Sequence, residues 1–186
     1  MKLPRSIALP VFSLIMLSSS CKKHVIKPAD QLSLLPPATQ TGARTFGCLV
    51  NGQAFVPKDR SIIEGPLLQC NYIFLNGGYY FTVGLVNSNN GLVQGMRVAT
   101  DSLAIAQGQS YRFATYGKGN ADAAYNLGGT ENRSYITNTT VSGLLTITKL
   151  DPTMQIVSGT FYFKAVNAPG DTVNVTDGRF DMPYTR

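Results

Sequence analysis

The stretch Val157-Ser158-Gly159-Thr160-Phe161-Tyr162-Phe163-Lys164-Ala165 alternates between two kinds of side chain. Apolar or small residues stand at the odd positions, and polar or amphipathic residues stand at the even ones. Because successive side chains of a β-strand point to opposite faces, this period of two predicts a strand with Phe161 and Phe163 on its core face. Tyr162 and Lys164 are then expected on the outer face.

The segment that follows, residues 172–182, has the same period but changes its phase. Val173 and Val175 keep the apolar face on odd numbers, whereas the later apolar side chains fall on even numbers. These later residues are Phe180, Met182 and Tyr184. One extra residue must be absorbed between the two sets, and Asp177-Gly178 is the expected β-bulge. We expect this bulge to bend the strand around a core rather than to mark a site.

Two Asn-Gly pairs mark tight turns on the amino-terminal side of this region. Asn51-Gly52 follows the alternating residues Phe46, Cys48 and Val50. Asn76-Gly77 separates two runs that are rich in aromatic and β-branched residues. Because a two-residue hairpin turn needs positive φ at both central positions, Asn-Gly between apolar runs predicts a β-hairpin at each place.

The rest of the chain also has the character of strands. Further strands are expected at residues 92–99, 110–116, 134–137 and 144–149, whereas residues 121–127 are compatible with a short helical turn. The predicted fold class is all-β, an antiparallel β-sandwich or flattened β-barrel built from successive hairpins. A single domain at residues 45–186 suits this length and the ordinary hydrophobic content of 44%.

The amino terminus has the layout of an export signal. Lys2 and Arg5 precede a short apolar run, and Ser18-Ser19-Ser20 leads into Cys21. This order predicts a lipoprotein signal peptide at residues 1–20 and a lipid on Cys21. Cleavage without lipid is the rival, because Ser18 stands where lipoproteins usually have leucine. A retained transmembrane span is less favoured, since the run has about half of the roughly 20 residues required.

Residues 21–44 are predicted to be the lipidated cysteine and a membrane tether. The pair Pro36-Pro37 favours extended backbone. Alternatively, the leucines of this segment pack onto the domain and shorten the free tether to about ten residues. The formal charge of +6 includes Lys22, Lys23 and Lys27, which lie where anionic lipid head groups would be. We therefore expect the membrane, and no nucleic acid, as the partner of these lysines.

The three cysteines fit an exported protein if Cys21 carries lipid. Cys48 and Cys70 then remain as an even pair in an oxidising compartment, which predicts a disulfide. The alternative is two buried free thiols that act as small apolar side chains.

Residues for catalysis are scarce. The one histidine, His24, lies in the tether, so a histidine-based triad in the domain has no base, and no metal site or cofactor is expected. The carboxylates Asp177 and Asp181 would lie about 13 Å apart along one strand, too far for a glycosidase pair. A hydrolase would need other carboxylates to converge with them. These are Glu64, Glu131 and Asp151.

Binding is the more economical interpretation, because the domain has more aromatic residues than the alternation places inward. Exposed tyrosines can stack on sugar rings or anchor a partner protein, although each one can also simply cover the sheet. The long segment 117–133 is a candidate binding loop. The expected binding tyrosines are Tyr80 or its neighbour Tyr79, together with Tyr116, Tyr125, Tyr135 and Tyr162.

Two short Asp-Ser/Thr-apolar sequences predict O-glycosylation. They are Asp101-Ser102-Leu103 and Asp171-Thr172-Val173, with Ser102 and Thr172 as the acceptors.

Four segments carry a resemblance to a known family. Residues 45–52, 55–57, 156–161 and 175–181 resemble those of small uncharacterised lipoproteins of Bacteroidota. The resemblance implies an outer-membrane lipoprotein with an antiparallel β-domain, and it assigns no catalytic or binding residue. Surface-exported members usually have acidic residues after the lipidated cysteine. Lys22-Lys23-His24 stands there instead, which leaves both the periplasmic and the cell-surface face open.

The expected function is therefore that of a lipid-anchored protein of the cell envelope. We expect a non-catalytic binding or accessory module for a glycan or a partner protein. Two alternatives remain open: an Asp/Glu-dependent hydrolase of the envelope, and a structural envelope subunit.

Overall fold

The computed structural model describes residues 28–57, 68–89, 92–128 and 133–186. The predicted signal peptide, Cys21 and the three lysines at 22, 23 and 27 lie outside these residues. The described parts contain one short helix and eleven strands: α1 (Pro28–Ser33), β1 (Thr45–Val50), β2 (Gln53–Phe55), β3 (Leu68–Leu75), β4 (Gly78–Asn89), β5 (Leu92–Thr100), β6 (Ser110–Arg112), β7 (Ala121–Leu127), β8 (Arg133–Ile136), β9 (Gly143–Asp151), β10 (Ile156–Val166) and β11 (Thr172–Pro183).

The strands form one sheet in which every paired strand runs antiparallel to its neighbour. The strand order is β2-β1-β11-β10-β8-β7-β5-β4-β3, while β9 pairs with β10 and β6. After β11 the chain makes one further bridge, from Thr185 to Asn71 of β3, so the segment that follows the last strand reaches the far end of the sheet. The all-β antiparallel fold is confirmed, and this curled sheet is consistent with a sandwich or flattened barrel.

Strand β10 has the predicted faces at residues 161–164. Phe161 and Phe163 are buried, whereas Tyr162 and Lys164 are exposed. The register between β10 and β11 shifts between Phe161 and Phe163, opposite Asp177-Gly178. Asp177 has a φ of 55°, so the bulge is where the change of phase placed it.

Both predicted hairpin turns are confirmed. Asn51 and Gly52 have φ values of 49° and 79°, and Asn76 and Gly77 have values of 50° and 80°. Positive φ at both central residues is the geometry of the type I′ turn, whose twist matches that of the flanking strands.

One local prediction is wrong. Residues 121–127 form strand β7, which lies between β5 and β8, and they do not form a helical turn. Alanine favours helix intrinsically, but here Ala121 and Ala123 are buried in the core, where small side chains suit a crowded central strand. Much of the proposed loop at 117–133 is therefore sheet, and residues 129–132 lie outside the described parts.

The structure has no bond between Cys48 and Cys70, so the predicted disulfide gives way to its alternative of two buried free thiols. Cys48 lies on β1 and Cys70 on β3, and these two strands are not paired with each other. Burial raises the pKa of Cys70 to about 12 and raises that of Cys48 as well. Both side chains belong to the hydrophobic core and act there as small apolar groups.

The segment before β1 packs against the domain. Gln31 of α1 is buried and accepts a hydrogen bond from the Ala54 N–H at 2.8 Å. Leu35 is buried, whereas Leu32 and Leu34 remain exposed. A Cβ on Gly47 would lie 2.7 Å from Pro36, so only glycine admits this close approach. The described residues include no helix with the length and the apolar character that a membrane span requires.

Candidate functional site

The five predicted binding tyrosines do not share one surface. Tyr116 and Tyr162 are exposed. Tyr80 is half-buried, and its hydroxyl accepts a hydrogen bond from Ser102 Oγ at 2.8 Å. Tyr125 and Tyr135 are buried in the core, so their assignment to a binding surface is wrong.

The reason for the inward position of Tyr125 and Tyr135 is cross-strand pairing. They lie directly opposite each other on β7 and β8, with ring centroids 6.2 Å apart. Tyr125 also meets the ring of Phe55 edge to face at 5.9 Å. Such packing repays the burial of a phenol ring, and burial raises the pKa of Tyr125 to about 12.

A different set of aromatic residues lines an open groove at the end of β3. The groove has a volume of about 560 Å³, which is within the usual range for ligand sites. We call it the aromatic groove, and its walls are Tyr72, Ile73, Phe74, Tyr79, Leu150, Pro152, Tyr184 and Arg186.

The hairpin of β3 and β4 positions three of these rings. The tight turn at Asn76-Gly77 fixes the register so that Phe74 lies opposite Tyr79. The Phe74 and Tyr79 ring centroids are 4.9 Å apart, and Tyr79 stacks on Tyr72 at 5.2 Å. Phe74 is 64% exposed and Tyr79 is 42% exposed, so apolar ring surface faces solvent. A stacked array of this kind offers a rigid apolar wall to a ligand.

The opposite wall comes from residues that are distant in the sequence. Tyr184 meets Tyr72 edge to face at 5.8 Å. Arg186 lines the groove and donates a hydrogen bond from its guanidinium to the Pro152 carbonyl. Burial raises the pKa of Tyr72, while its hydroxyl donates to the Ile105 carbonyl at 3.4 Å. The phenol of Tyr72 is therefore fixed in place and stays neutral.

The sequence contained only part of the signal for this groove. The excess of aromatic side chains near Tyr79 and Tyr80 pointed to the hairpin, but alternation alone did not decide which tyrosine faces outward. Tyr72 and Phe74 were not predicted as binding residues, because the side chains of β3 do not separate into an apolar face and a polar face. The wall formed by Pro152 and Tyr184 depends on contacts between distant parts of the chain.

A separate cluster of hydrogen-bond donors surrounds Asp181 of β11, whose side chain is fully buried. Oδ2 accepts hydrogen bonds from Thr39 Oγ1 at 2.7 Å, the Thr41 N–H at 2.9 Å and the Ala43 N–H at 3.1 Å. Oδ1 accepts from the Gly42 N–H and from Ser158 Oγ, each at 2.8 Å. We call this set the Asp181 clamp, since it fastens residues 39–43 to the sheet.

The local backbone explains why the donors converge on one carboxylate. Gly42 has a φ of 77°, in the left-handed region, so the successive N–H groups of residues 41, 42 and 43 turn toward the same anion. Burial acts to raise the pKa of Asp181. The hydrogen bonds from Thr39, Thr41, Ser158 and Gly42 outweigh it and hold the pKa well below its usual range.

The other carboxylates considered for hydrolysis have separate local roles. Asp151 Oδ1 accepts from the Thr153 and Met154 N–H groups and so caps the turn after β9. Asp177 occupies the bulge and is exposed. Glu64 and Glu131 lie outside the described residues. No group of three or more His, Cys, Asp or Glu side chains suited to a metal ion occurs in the described parts of the chain.

The two proposed glycosylation acceptors differ in access. Thr172 is exposed at the start of β11, whereas Ser102 is half-buried and its hydroxyl is engaged with Tyr80. Their modification stays a prediction.

The chain matches a protein-family model. Residues 72–182, more than half of the chain, match the domain of unknown function DUF6252. The match begins within β3 and ends within β11, so it includes most of the sheet and both Asp181 and Ser158. No curated protein and no solved structure matches the chain. The match is consistent with an uncharacterised family, and the chain belongs to the DUF6252 family.

Proposed function

We propose that this protein is a lipid-anchored module of the cell envelope, attached through Cys21, which binds a ligand without transforming it. The basic start, the short apolar run and the small residues before Cys21 support export and lipidation. The resemblance to lipoproteins of Bacteroidota supports the outer membrane as the location. The ligand is a glycan or a partner protein.

The aromatic groove is the observation that carries the binding function. Large exposed apolar side chains are usually scattered over a protein surface, whereas Phe74 and Tyr79 are exposed side by side. Their rings stand on a hairpin with a rigid turn, so little entropy is lost when a ligand settles on them.

The carboxylates favour binding over hydrolysis. General acid–base catalysis needs a carboxyl group that reaches substrate and changes protonation near neutral pH. Asp181 is buried among hydrogen-bond donors, and its pKa is lowered rather than raised. Asp151 accepts backbone hydrogen bonds in a turn. Neither residue lines the aromatic groove.

The groove can be tested with the purified full-length chain in mild detergent. An array of bacterial envelope glycans and a library of random 12-residue peptides serve as probes. We expect the double variant Phe74→Ser/Tyr79→Ser to weaken binding by about tenfold or more, because the apolar contact is lost. Tyr116→Ser is the matched control, since Tyr116 is 69% exposed and lies outside the groove. Equal binding by both variants would exclude the groove as the site.

The anchor is tested separately in cells. We expect the wild-type chain to incorporate a labelled fatty acid and to sediment with outer membranes. Cys21→Ser should lose the label and become soluble, since no other attachment is proposed. A Cys21→Ser chain that still sediments with membranes would contradict the lipid anchor.

A further inference from the structure

We infer that the aromatic groove takes an extended polypeptide segment of a partner protein, which adds as a strand to the outer edge of β3. The inference deepens the proposed function, because it chooses between a glycan and a protein as the ligand. It rests on the backbone beside the groove rather than on the rings alone.

The edge of β3 that borders the groove is open. The β3–β4 hairpin closes on the pair Leu75 and Gly78, so the odd-numbered residues of β3 direct their N–H and C=O groups toward β4. Even-numbered residues direct theirs outward. The chain after β11 uses this outer edge at one place only, where Thr185 accepts from the Tyr72 N–H at 2.8 Å and donates to the Cys70 carbonyl at 3.0 Å.

Beyond that place, none of the described strands pairs with this edge. In the part of the chain that the structure describes, the Tyr72 carbonyl and the N–H and C=O of Phe74 make no backbone hydrogen bond. These three groups lie on residues that also line the groove. A free strand edge beside an apolar cavity is the arrangement that accepts an added strand.

The shape of the site suits a peptide better than a sugar. A sugar needs ring faces together with side-chain hydrogen-bonding groups that fix its hydroxyls. Tyr72 directs its hydroxyl to Ile105, and Arg186 is engaged with the Pro152 carbonyl. An extended peptide instead uses the free backbone groups of Tyr72 and Phe74, and alternate side chains of the peptide enter the groove. Phe74 and Tyr79 then supply apolar contact for those side chains.

A pair of substitutions at one position separates the backbone from the ring. Phe74→Val removes the ring and keeps the N–H, whereas Phe74→Pro removes both. The β3–β4 ladder does not use the Phe74 N–H, so proline is tolerated at this edge, as thermal unfolding of both variants will verify. Peptides of 12 residues selected from a random library on the wild-type full-length chain are the probe.

Strand addition predicts that Phe74→Pro binds these peptides at least about tenfold more weakly than Phe74→Val, because a backbone hydrogen bond is lost and its partner carbonyl is left unpaired. Equal affinity of the two variants would overturn the inference. Failure of Phe74→Pro to fold would move the test to the wild-type chain with N-methylated peptides. Methylation of the alternate residues that face β3 should abolish binding, and methylation of the other set should not. Loss of binding with neither set, or equally with both, would overturn the inference.

Three further outcomes separate the failure of this inference from the failure of the proposed function. A glycan that binds the groove, with equal losses for Phe74→Val and Phe74→Pro, would overturn strand addition and leave the binding function intact. Absence of any peptide or glycan that depends on Phe74 would overturn both. Sedimentation of the wild-type chain as a dimer that Phe74→Pro dissociates would identify a second copy, and not a partner protein, as the occupant.

Discussion

Asp181 and Asp122 are both buried carboxylates on strands of the same sheet, yet their surroundings differ. Asp181 accepts hydrogen bonds at both oxygens from backbone and hydroxyl groups. Asp122 on β7 is paired with the Arg97 guanidinium through Oδ2, while its Oδ1 is buried and has no hydrogen-bond partner among the described residues. Burial raises the pKa of Asp122 despite Arg97, whereas the pKa of Asp181 is lowered.

The difference shows what makes a buried charge tolerable. One counter-charge at a half-exposed position does not replace the water that a carboxylate loses on burial. Several short hydrogen bonds from fixed donors do replace it at Asp181, which makes no ion pair with any residue that the structure describes. The clamp also holds distant parts of the chain together, because its donors at residues 39–43 lie about 140 residues before Asp181.

The largest expected effect is that of removing the Asp181 carboxylate. We expect Asp181→Ala to lower the free energy of unfolding by about 3–5 kcal/mol, because it leaves the donors of residues 39–43 and Ser158 without an acceptor. Urea unfolding measures the change. Thr172→Ala, at an exposed position of the same strand, is the control and should stay within about 0.5 kcal/mol of the wild type. A loss below about 1 kcal/mol for Asp181→Ala would contradict the clamp.

The dependence of stability on pH should separate the two carboxylates by sign. The folded pKa of Asp181 lies below the unfolded value of about 3.9, so its stabilising contribution is complete above about pH 4 and is lost as the pH falls through the folded pKa. The folded pKa of Asp122 is raised, so stability declines as the pH rises from about 4 through that pKa.

Urea midpoints between pH 2 and 7 measure these slopes. We expect Asp181→Asn to reduce the loss of stability as the pH falls below about 4. Asp122→Asn should remove the loss of stability as the pH rises above about 4. If Asp181→Asn leaves the loss of stability at low pH unchanged, another group controls acid unfolding.

Ser158→Ala makes the clamp more like the Asp122 site by removing one donor. Ser158 is fully buried, and its hydroxyl donates to Asp181 Oδ1. We expect a loss of about 1–2 kcal/mol in urea unfolding, since Oδ1 retains the Gly42 N–H. Ser110→Ala, which removes an exposed hydroxyl, is the matched control with little expected effect. A loss as large as that of Asp181→Ala would mean that Ser158 alone holds the carboxylate.

The smallest expected effect is at Asp122. Because the desolvation of the Asp122 carboxylate offsets its attraction to Arg97, we expect Asp122→Asn to change the unfolding free energy by less than about 1 kcal/mol. Urea unfolding at pH 7 provides the measurement. Arg97→Met is the companion variant, and it should cost more, since it leaves the Asp122 charge buried without a partner. The reverse order would contradict our account of the pair.

Local patterns in the sequence predicted the parts of the fold that depend on neighbouring residues. The Asn-Gly turns, the faces of β10 and the bulge at Asp177 each follow from a few adjacent side chains. Ala121 and Ala123 misled the interpretation of β7, because helix propensity is weak against tertiary packing. Tyr125 and Tyr135 were wrongly predicted as part of a binding surface, since aromatic residues suit both a core and a surface.

The candidate sites depend on contacts between residues far apart in the sequence, which local patterns do not predict. The groove joins a hairpin at residues 72–79 to Pro152 and Tyr184, and the clamp joins residues 39–43 to Asp181. The leucines of the leader offered a choice between a free tether and a docked one. Hydrogen bonds from the Thr41 and Gly42 N–H groups to Asp181 favour the docked leader. The pattern of side chains could not predict them, because nearly every residue carries a backbone N–H.

The docked leader limits how far the domain can stand from its bilayer. Under the proposed anchor, only residues 22–27 separate the lipid on Cys21 from α1. Six residues span at most about 20 Å when fully extended. The domain would then stay close to the lipid head groups. It would meet partners embedded in the same leaflet rather than partners that diffuse through the compartment.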